Sequence, residues 1–465
     1  MYHNEKGGLY GLTDLPSCPP SIQGIQMTET TTQEKTGLGN YFVANYPPFS
    51  FWKPAHLPEA RAALNAAPAP DTPLGLYLHI PFCRKRCKFC YFRVYTDKNA
   101  RDVETYLDAL VQEVTLYSRV PLIGGRPLKY VYFGGGTPSY LSATQLRSLM
   151  QRLQAVLPWK GAEEVTFECE PGTLQQHKLE ALRELGVTRL SLGVENFDPK
   201  ILEFNGRAHL EEEIHRAYGW ARELGFEQIN IDLIAGMVGE SWDNWKQCVA
   251  KTLALAPESV TIYQMELPYN TTFSKELRII GQDEPMNVAD WPTKREWVNY
   301  AFDTLIAAGY EVSSAYTLVK DRRRTHFVYR DALWHGADMF GTGVASFGHV
   351  HGVHLQNVDT WEQYVELLNR GELPLGRALP VEPRHRLIRE MILQLKTGRL
   401  ESAHFQRKFG TKILETFHDA FEQLEQDGQL SRTAEGVELT RKGLLQVDRL
   451  LPIFFDPQHR GTRYT

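Results

Sequence analysis

Apolar residues along this chain fall into two alternating rhythms. Residues 76–80 form a short apolar run, as a buried strand would. Residues 102–118 place Val103, Tyr106, Leu107, Leu110, Val111 and Val114 at three- and four-residue spacing, which predicts an amphipathic helix. The two rhythms then repeat, with strands predicted over 128–133, 164–169, 189–192, 228–234 and 259–264. The helices between them are predicted over 142–156, 174–185, 211–224 and 242–255. Strands that alternate with helices build a parallel sheet through right-handed crossovers. The expectation is an α/β fold, an open, partial (β/α)6 barrel rather than a closed eight-unit one. In such folds chemistry sits at the C-terminal ends of the strands.

The flanks break this rhythm. Residues 1–40 are rich in Gly, Thr and Pro and read as a mobile extension. Residues 41–73 hold an aromatic run, Tyr46-Pro-Pro-Phe-Ser-Phe-Trp52, expected to pack on the main domain. A short helix over 59–66 and a Pro/Ala linker follow. The alternating domain is expected over 74–380. Beyond it, over 381–465, helices are predicted at 385–396, 400–409, 414–427 and 441–455, with an extended stretch at 438–440, in the manner of a winged helix. Acidic and basic residues nearly balance there, so this α-rich domain is expected to cap the barrel and not to bind nucleic acid.

Composition narrows the class. A net charge of −5 argues against nucleic-acid binding driven by bulk charge. Six cysteines in 465 residues do not make a disulfide scaffold. No apolar run approaches the ~20 residues of a membrane span, and residues 1–10 lack the apolar core of a signal peptide. A soluble, cytoplasmic protein is the expectation.

Three cysteines carry the chemistry. Cys83, Cys87 and Cys90 stand as C-x3-C-x2-C directly after the first predicted strand, hence at the catalytic end of the barrel. Three thiolates on one loop can hold three corners of a [4Fe–4S] cubane and leave its fourth iron open. The amino and carboxylate groups of S-adenosylmethionine can chelate an open iron. One electron then breaks the sulfonium C–S bond and releases a 5′-deoxyadenosyl radical. The alternatives are free thiols, or a zinc site completed by a distant ligand such as His79. Structural zinc sites usually add a second cysteine pair, whereas Cys18, Cys169 and Cys248 stand alone. His349, His351 and His354 have no carboxylate or cysteine close by and read as exposed hairpin histidines. Residues 326–335 are rich in rings and read either as a pocket wall for a flat substrate or as core.

Further segments occur in a fixed order: Leu76-Tyr-Leu-His-Ile-Pro-Phe-Cys83, Gly134-Gly-Gly-Thr-Pro-Ser139, Leu192-Gly-Val-Glu-Asn-Phe197, Asn230-Ile-Asp-Leu-Ile-Ala-Gly236 and Gly341-Thr-Gly-Val-Ala-Ser-Phe347. Together they resemble the oxygen-independent coproporphyrinogen III oxidase family of radical SAM proteins, and the C-terminal region is similar to that family's helical domain. The resemblance implies a [4Fe–4S] cluster on Cys83, Cys87 and Cys90 and S-adenosylmethionine at its open iron, with a second S-adenosylmethionine nearby. It implies cofactor contacts at Tyr77, Phe89, Gly135, Gly136, Thr137, Glu168, Glu195, Arg207, Asp232 and the Phe347 backbone. It also implies a small-molecule substrate and an electron donor such as flavodoxin or ferredoxin.

Two positions depart from the haem-biosynthesis oxidase. That enzyme carries a further cysteine where this chain has Phe92, and a glutamine where it has Glu195. The departures favour the family's class C methylase and cyclopropanase branch, in which a second S-adenosylmethionine gives a methyl or methylene unit to an sp2 carbon of a conjugated substrate. Oxidative decarboxylation of coproporphyrinogen III and haem chaperoning are the alternatives.

Overall fold

The computed structural model describes Thr36, residues 42–280 and residues 288–462. The extension expected over 1–40 lies outside these apart from Thr36, as does Cys18. Strands β1 (Leu74–Ile80), β2 (Leu128–Gly135), β3 (Glu164–Cys169), β4 (Arg189–Glu195), β5 (Gln228–Ala235) and β6 (Ser259–Gln264) lie side by side and parallel. The crossover helices Ala100–Tyr117, Ala143–Val156, Gln176–Glu184, Glu211–Glu223 and Trp242–Leu255 link them. Reciprocal capping boxes start two of these helices, Asn99 with Asp102 and Ser142 with Gln145. β4 runs three residues past the predicted strand, because Glu195 still pairs with Leu233 after a bulge at Gly193.

The chain between 300 and 380 adds strands that, apart from the histidine hairpin, the sequence pattern did not announce: β7 (Glu311–Val312), β8 (Thr317–Val319), β9 (Asp338–Thr342), β10 (Phe347–Val350), β11 (Val353–Asn357) and β12 (Leu375–Pro380). The sheet order is β12-β11-β10-β9-β1-β2-β3-β4-β5-β6-β8-β7. β9 is parallel to β1, and the strands beyond it on that side are antiparallel. On the other side β8 and β7 are antiparallel. The two outermost strands do not pair with each other, so the barrel is open.

β10 and β11 form the hairpin expected from the histidine spacing, but two of its histidines are not exposed. His349 and His354 are buried, their Nδ1 atoms 2.9 Å apart, and Trp52 stacks on His354 at 4.7 Å. Burial lowers the pKa of both rings, so they pack as neutral imidazoles. His351, at the turn, is exposed and takes a positive φ of 46°. The aromatic run that supplies Trp52 does pack on the main body, with Tyr46 also buried.

The C-terminal region combines helices Pro383–Leu395, Ser402–Phe409 and His418–Gln426 with a small sheet of β13 (Arg399–Glu401), β14 (Leu430–Arg432) and β15 (Gly436–Leu439). The helix expected over 414–427 breaks at Phe417. The helix expected over 441–455 is instead two short helices and the 3-10 turn Leu451–Phe454, where Pro452 has no N–H to give. This region is locked to the barrel at the β6–β8 side. Gln264 donates to the Leu445 carbonyl, and Lys396 Nζ lies 2.7 Å from Asp448, which also accepts from Tyr316. Among the described residues no helix is long and apolar enough to cross a membrane.

One buried carboxylate holds the turn between β9 and β10. Glu113, on helix Ala100–Tyr117, accepts from Gly343 N at 2.7 Å, Tyr364 OH at 2.6 Å and Asn357 Nδ2 at 2.6 Å. Burial pushes its pKa up from 4.5 to about 7, although the three donors favour its charge. A raised folded-state pKa means that stability falls as pH rises from about 4.5 through about 7. Glu113→Gln removes that slope and sets an amide N–H against donors. It is expected to lower stability by about 1–3 kcal/mol in urea unfolding at neutral pH. An unchanged midpoint would contradict this role.

Candidate active site

Strands β1 to β6 are buried along most of their length. Away from strand ends, the positions that keep exposure include Tyr77, Tyr132, Glu168, Gly193, Asp232 and Tyr263. Tyr77 is register partner to Tyr132, and Gly193 to Asp232. Side chains alternate between faces along a strand, so these positions share the inner face of the open barrel. The accessible interior is therefore lined by phenols and carboxyls.

The cysteine loop leaves the C-terminal end of β1. Backbone bonds from Tyr95 N to Pro81 O (2.7 Å) and from Cys83 N to Tyr95 O (3.1 Å) close its base. His79 Nε2 lies 3.1 Å from the Arg93 carbonyl, which steadies the far side. Burial lowers the His79 pKa to about 4, so the ring is a neutral strut. Gly206, at a φ of +80°, lets a second loop approach. A Cβ there would stand 3.3 Å from the Cys87 Cα and 3.1 Å from the Arg86 carbonyl.

That second loop delivers Arg207. Its Nη1 lies 3.2 Å from Cys87 Sγ, and its Nη2 lies 2.6 Å from the Gly193 carbonyl and 3.8 Å from Glu195. Glu211, four residues along, pairs with Lys251 at 2.7 Å and leaves Arg207 to the interior. Glu195 and Asp232 both feel this guanidinium, and Glu168 lies beside Asp232. Glu168 accepts from Tyr132 OH at 2.7 Å and Gly135 N at 3.2 Å. Asp232 accepts from Ser191 Oγ at 2.7 Å and Asn230 Nδ2 at 2.9 Å. Glu195 holds a positive φ of 64°, costly for a residue with a Cβ and sustained here by the bulge in β4. Burial pushes Glu168 and Glu195 up to about 7 and Asp232 to about 6. Such an interior favours a cationic ligand, whose charge would restore these groups to their ionised forms.

The glycine loop completes the wall. Gly135 has a φ of +112°, and a Cβ there would lie 2.4 Å from the His79 ring. Gly136 N donates to the Ile80 carbonyl, and Thr137 Oγ1 lies 3.4 Å from Cys83 Sγ. Phe89 packs with Ile201, Ile234, Met237 and Met265 beside the cysteine loop. Phe347 sits apart from this group in its packing, with Phe49 at 4.5 Å and Trp52 at 5.6 Å. The structure thus gathers the cysteines, Thr137, Arg207 and Glu195 by direct contact, and Tyr77, Glu168 and Asp232 on the adjoining inner face. Tyr132 and Tyr263 were missed. Their strands read as plain core, and the available signal was a phenol at the level of Tyr77. In the ring-rich segment, Tyr329 reaches Tyr132 at 4.5 Å between ring centres.

Three free thiols on one loop, with His79 engaged by the Arg93 carbonyl, suit a cubane that keeps one iron open. Arg207 Nε is buried with no partner, a donor left for an incoming acceptor such as a carboxylate. Cys169 and Cys248 are buried, in β3 and in helix Trp242–Leu255.

Comparison with known proteins agrees with this geometry. The Radical SAM superfamily model matches residues 77–251, and the HemN C-terminal domain model matches residues 381–445. The chain is 30% identical over 280 residues to the haem chaperone HemW of Escherichia coli, covering 60% of this chain and 70% of that protein. It is 25% identical over 449 residues to the oxygen-independent coproporphyrinogen III oxidase of Synechocystis, covering 92% of this chain and 94% of that one. In fold it is similar to the crystal structure of coproporphyrinogen III oxidase (HemN) from Escherichia coli, with a TM-score of 0.76 at 24% identity over 89% of this chain and 96% of that one.

Anaerobic reconstitution is expected to load about four iron per chain. Cys83→Ala, Cys87→Ala and Cys90→Ala should each abolish it, while Cys169→Ala and Cys248→Ala should keep it. Iron loss on changing either outer cysteine would overturn the ligand assignment.

Proposed function

The chain belongs to the radical SAM superfamily, in the family of oxygen-independent coproporphyrinogen III oxidases and the haem chaperone HemW, and on that footing we propose that it is an oxidoreductase of the oxidase type acting on a conjugated, carboxylate-bearing substrate. The observation that supports this reading is the cysteine loop with Arg207 against it and an acidic inner face, Glu168, Glu195 and Asp232, that suits the cationic S-adenosylmethionine a radical enzyme needs. When bound, the cluster and S-adenosylmethionine of this superfamily supply a 5′-deoxyadenosyl radical for hydrogen abstraction.

In this reading Cys83, Cys87 and Cys90 hold the cluster, and Arg207 and Thr137 border its thiolates. Glu168 and Asp232 accept from ribose hydroxyls or the ammonium group. Gly135 and Gly136 bring backbone close to the methionine moiety, and Tyr77 and Phe89 flank the nucleoside. Residues 74–380 act as the catalytic domain and 381–465 as its cap. The net change is conversion of a propionate side chain to vinyl, with loss of carbon dioxide, one hydrogen atom and one electron that passes to an acceptor.

A second reading rests on two specific positions. Phe92 is 46% exposed beside Tyr91, and Glu195 replaces the oxidase amide at a strained position, 3.8 Å from Arg207 as an ion pair. These departures favour a second S-adenosylmethionine that gives a methyl or methylene unit to an sp2 carbon.

Anaerobic incubation with dithionite, S-adenosylmethionine and coproporphyrinogen III, quinones or heteroaromatics separates the readings by product. The oxidase reading predicts 5′-deoxyadenosine, loss of carbon dioxide from coproporphyrinogen III and no S-adenosylhomocysteine. Substrate-dependent S-adenosylhomocysteine with a labelled-methyl mass gain would replace it with the second reading. Haem binding without cleavage of S-adenosylmethionine would overturn both in favour of a chaperone.

A further inference from the structure

We propose that His385, Asp456 and His459 form a second metal site, a zinc-type clasp that fastens the end of the described chain to the start of the helical region. None of the three belongs to the barrel interior. Each offers one ligand atom, and these atoms lie within 4.8 Å of one another.

Local structure accounts for the convergence. Asp456 precedes the 3-10 turn Pro457–His459, and His459 ends it. Side chains three residues apart in a 3-10 turn eclipse one another, so the carboxylate and the imidazole face the same way. His385 reaches them from the first turn of helix Pro383–Leu395, with its Nε2 3.0 Å from Asp456 Oδ2. Tetrahedral zinc, with bonds to nitrogen and oxygen of about 2.0–2.1 Å, places neighbouring ligand atoms about 3.3 Å apart. Two imidazoles and a carboxylate suit zinc or cobalt and do not suit calcium, which takes oxygen ligands.

The surroundings orient the ligands. Arg384 Nε donates to Asp456 Oδ1 at 3.1 Å, which leaves Oδ2 toward His385. Tyr46 OH lies 2.8 Å from His459 Nδ1 and accepts from Asp456 N at 3.1 Å. Phe51 packs edge-on against the His459 ring at 4.6 Å. Supporting bonds of this kind fix ligand rotamers in metal sites. The side chains of His385 and Asp456 are each 14% exposed, and His459 is 4% exposed. By contrast, His418, Asp419 and Glu422 also converge, but all three are exposed and read as a solvated helix face.

The clasp would join three parts of the chain that are distant in sequence: the lead segment through Tyr46, the helical region through His385 and the tail through Asp456 and His459. The test uses cluster-loaded protein, so that the cysteine loop is already filled. After equilibration with micromolar zinc and desalting, elemental analysis is expected to find about one zinc per chain beside the iron. His385→Ala and His459→Ala should each weaken zinc retention at least tenfold, with iron unchanged; the conservative Asp456→Asn should weaken it similarly. X-ray absorption at the zinc edge of the unaltered protein is expected to show nitrogen and oxygen at about 2.0–2.1 Å, imidazole outer shells and no sulfur. A sulfur first shell, or zinc content no higher than in the two alanine variants, would overturn the site and leave a hydrogen-bonded lock of His385, Asp456 and Tyr46. The absorption spectrum needs no variant, so a misfolded substitution does not shelter the proposal.

Discussion

Arg207 joins the cysteine loop to the barrel wall. Its guanidinium touches the Cys87 sulfur, the Gly193 carbonyl and the Glu195 carboxyl, and Gly206 before it lets the two loops close within van der Waals contact. A buried cation is tolerated only where partners repay its lost hydration. Here the partners are a thiol that becomes a thiolate on metal binding and a set of carboxyls that burial has pushed toward neutrality. Position and charge are thus coupled. Loading the loop with a metal cluster and placing a cationic ligand in the barrel both draw the interior toward its ionised, compensated state.

The same electrostatics explain why the acids sit where they do. Glu168 is tied by two donors from β2, and Asp232 by Ser191 of β4 and Asn230 of its own strand, so their orientation is set by the sheet and not by a ligand. Glu195 has no such pair of donors; a bulge and a left-handed backbone hold it against Arg207. It is one of the two positions that depart from the oxidase pattern the sequence resembles, and its backbone is strained. Strain kept by the surrounding structure commonly marks a working position.

Much of this was legible in the sequence. Strands β1 to β6 and their helices were readable because buried parallel strands are apolar runs and crossover helices are amphipathic. The cysteine spacing named the cofactor chemistry, and the resemblance singled out Glu168 and Asp232, which lie on the inner face. The region from β7 to β12 was hidden for physical reasons. β7 and β8 are very short, and β10 and β11 bury His349, His354, Gln356 and Asn357, so polar residues stand where a core strand normally shows aliphatic ones. Tyr132 and Tyr263 escaped because a tyrosine in a strand looks like core until its neighbours show that its hydroxyl lines a cavity. The helix expected over 441–455 failed at Pro452. The cluster of His385, Asp456 and His459 was invisible because His385 lies 71 residues before Asp456 and meets the other two only through the tertiary fold.

The central claim is that three thiolates leave one iron open to S-adenosylmethionine beside Arg207. Electron paramagnetic resonance of the reduced protein, recorded before and after adding S-adenosylmethionine labelled with ¹⁵N in the amino group and ¹⁷O in the carboxylate, tests it directly. The account predicts a change in the cluster's g values and hyperfine coupling to both labels. An unchanged spectrum with no coupling, in protein that carries a full cluster, would contradict it.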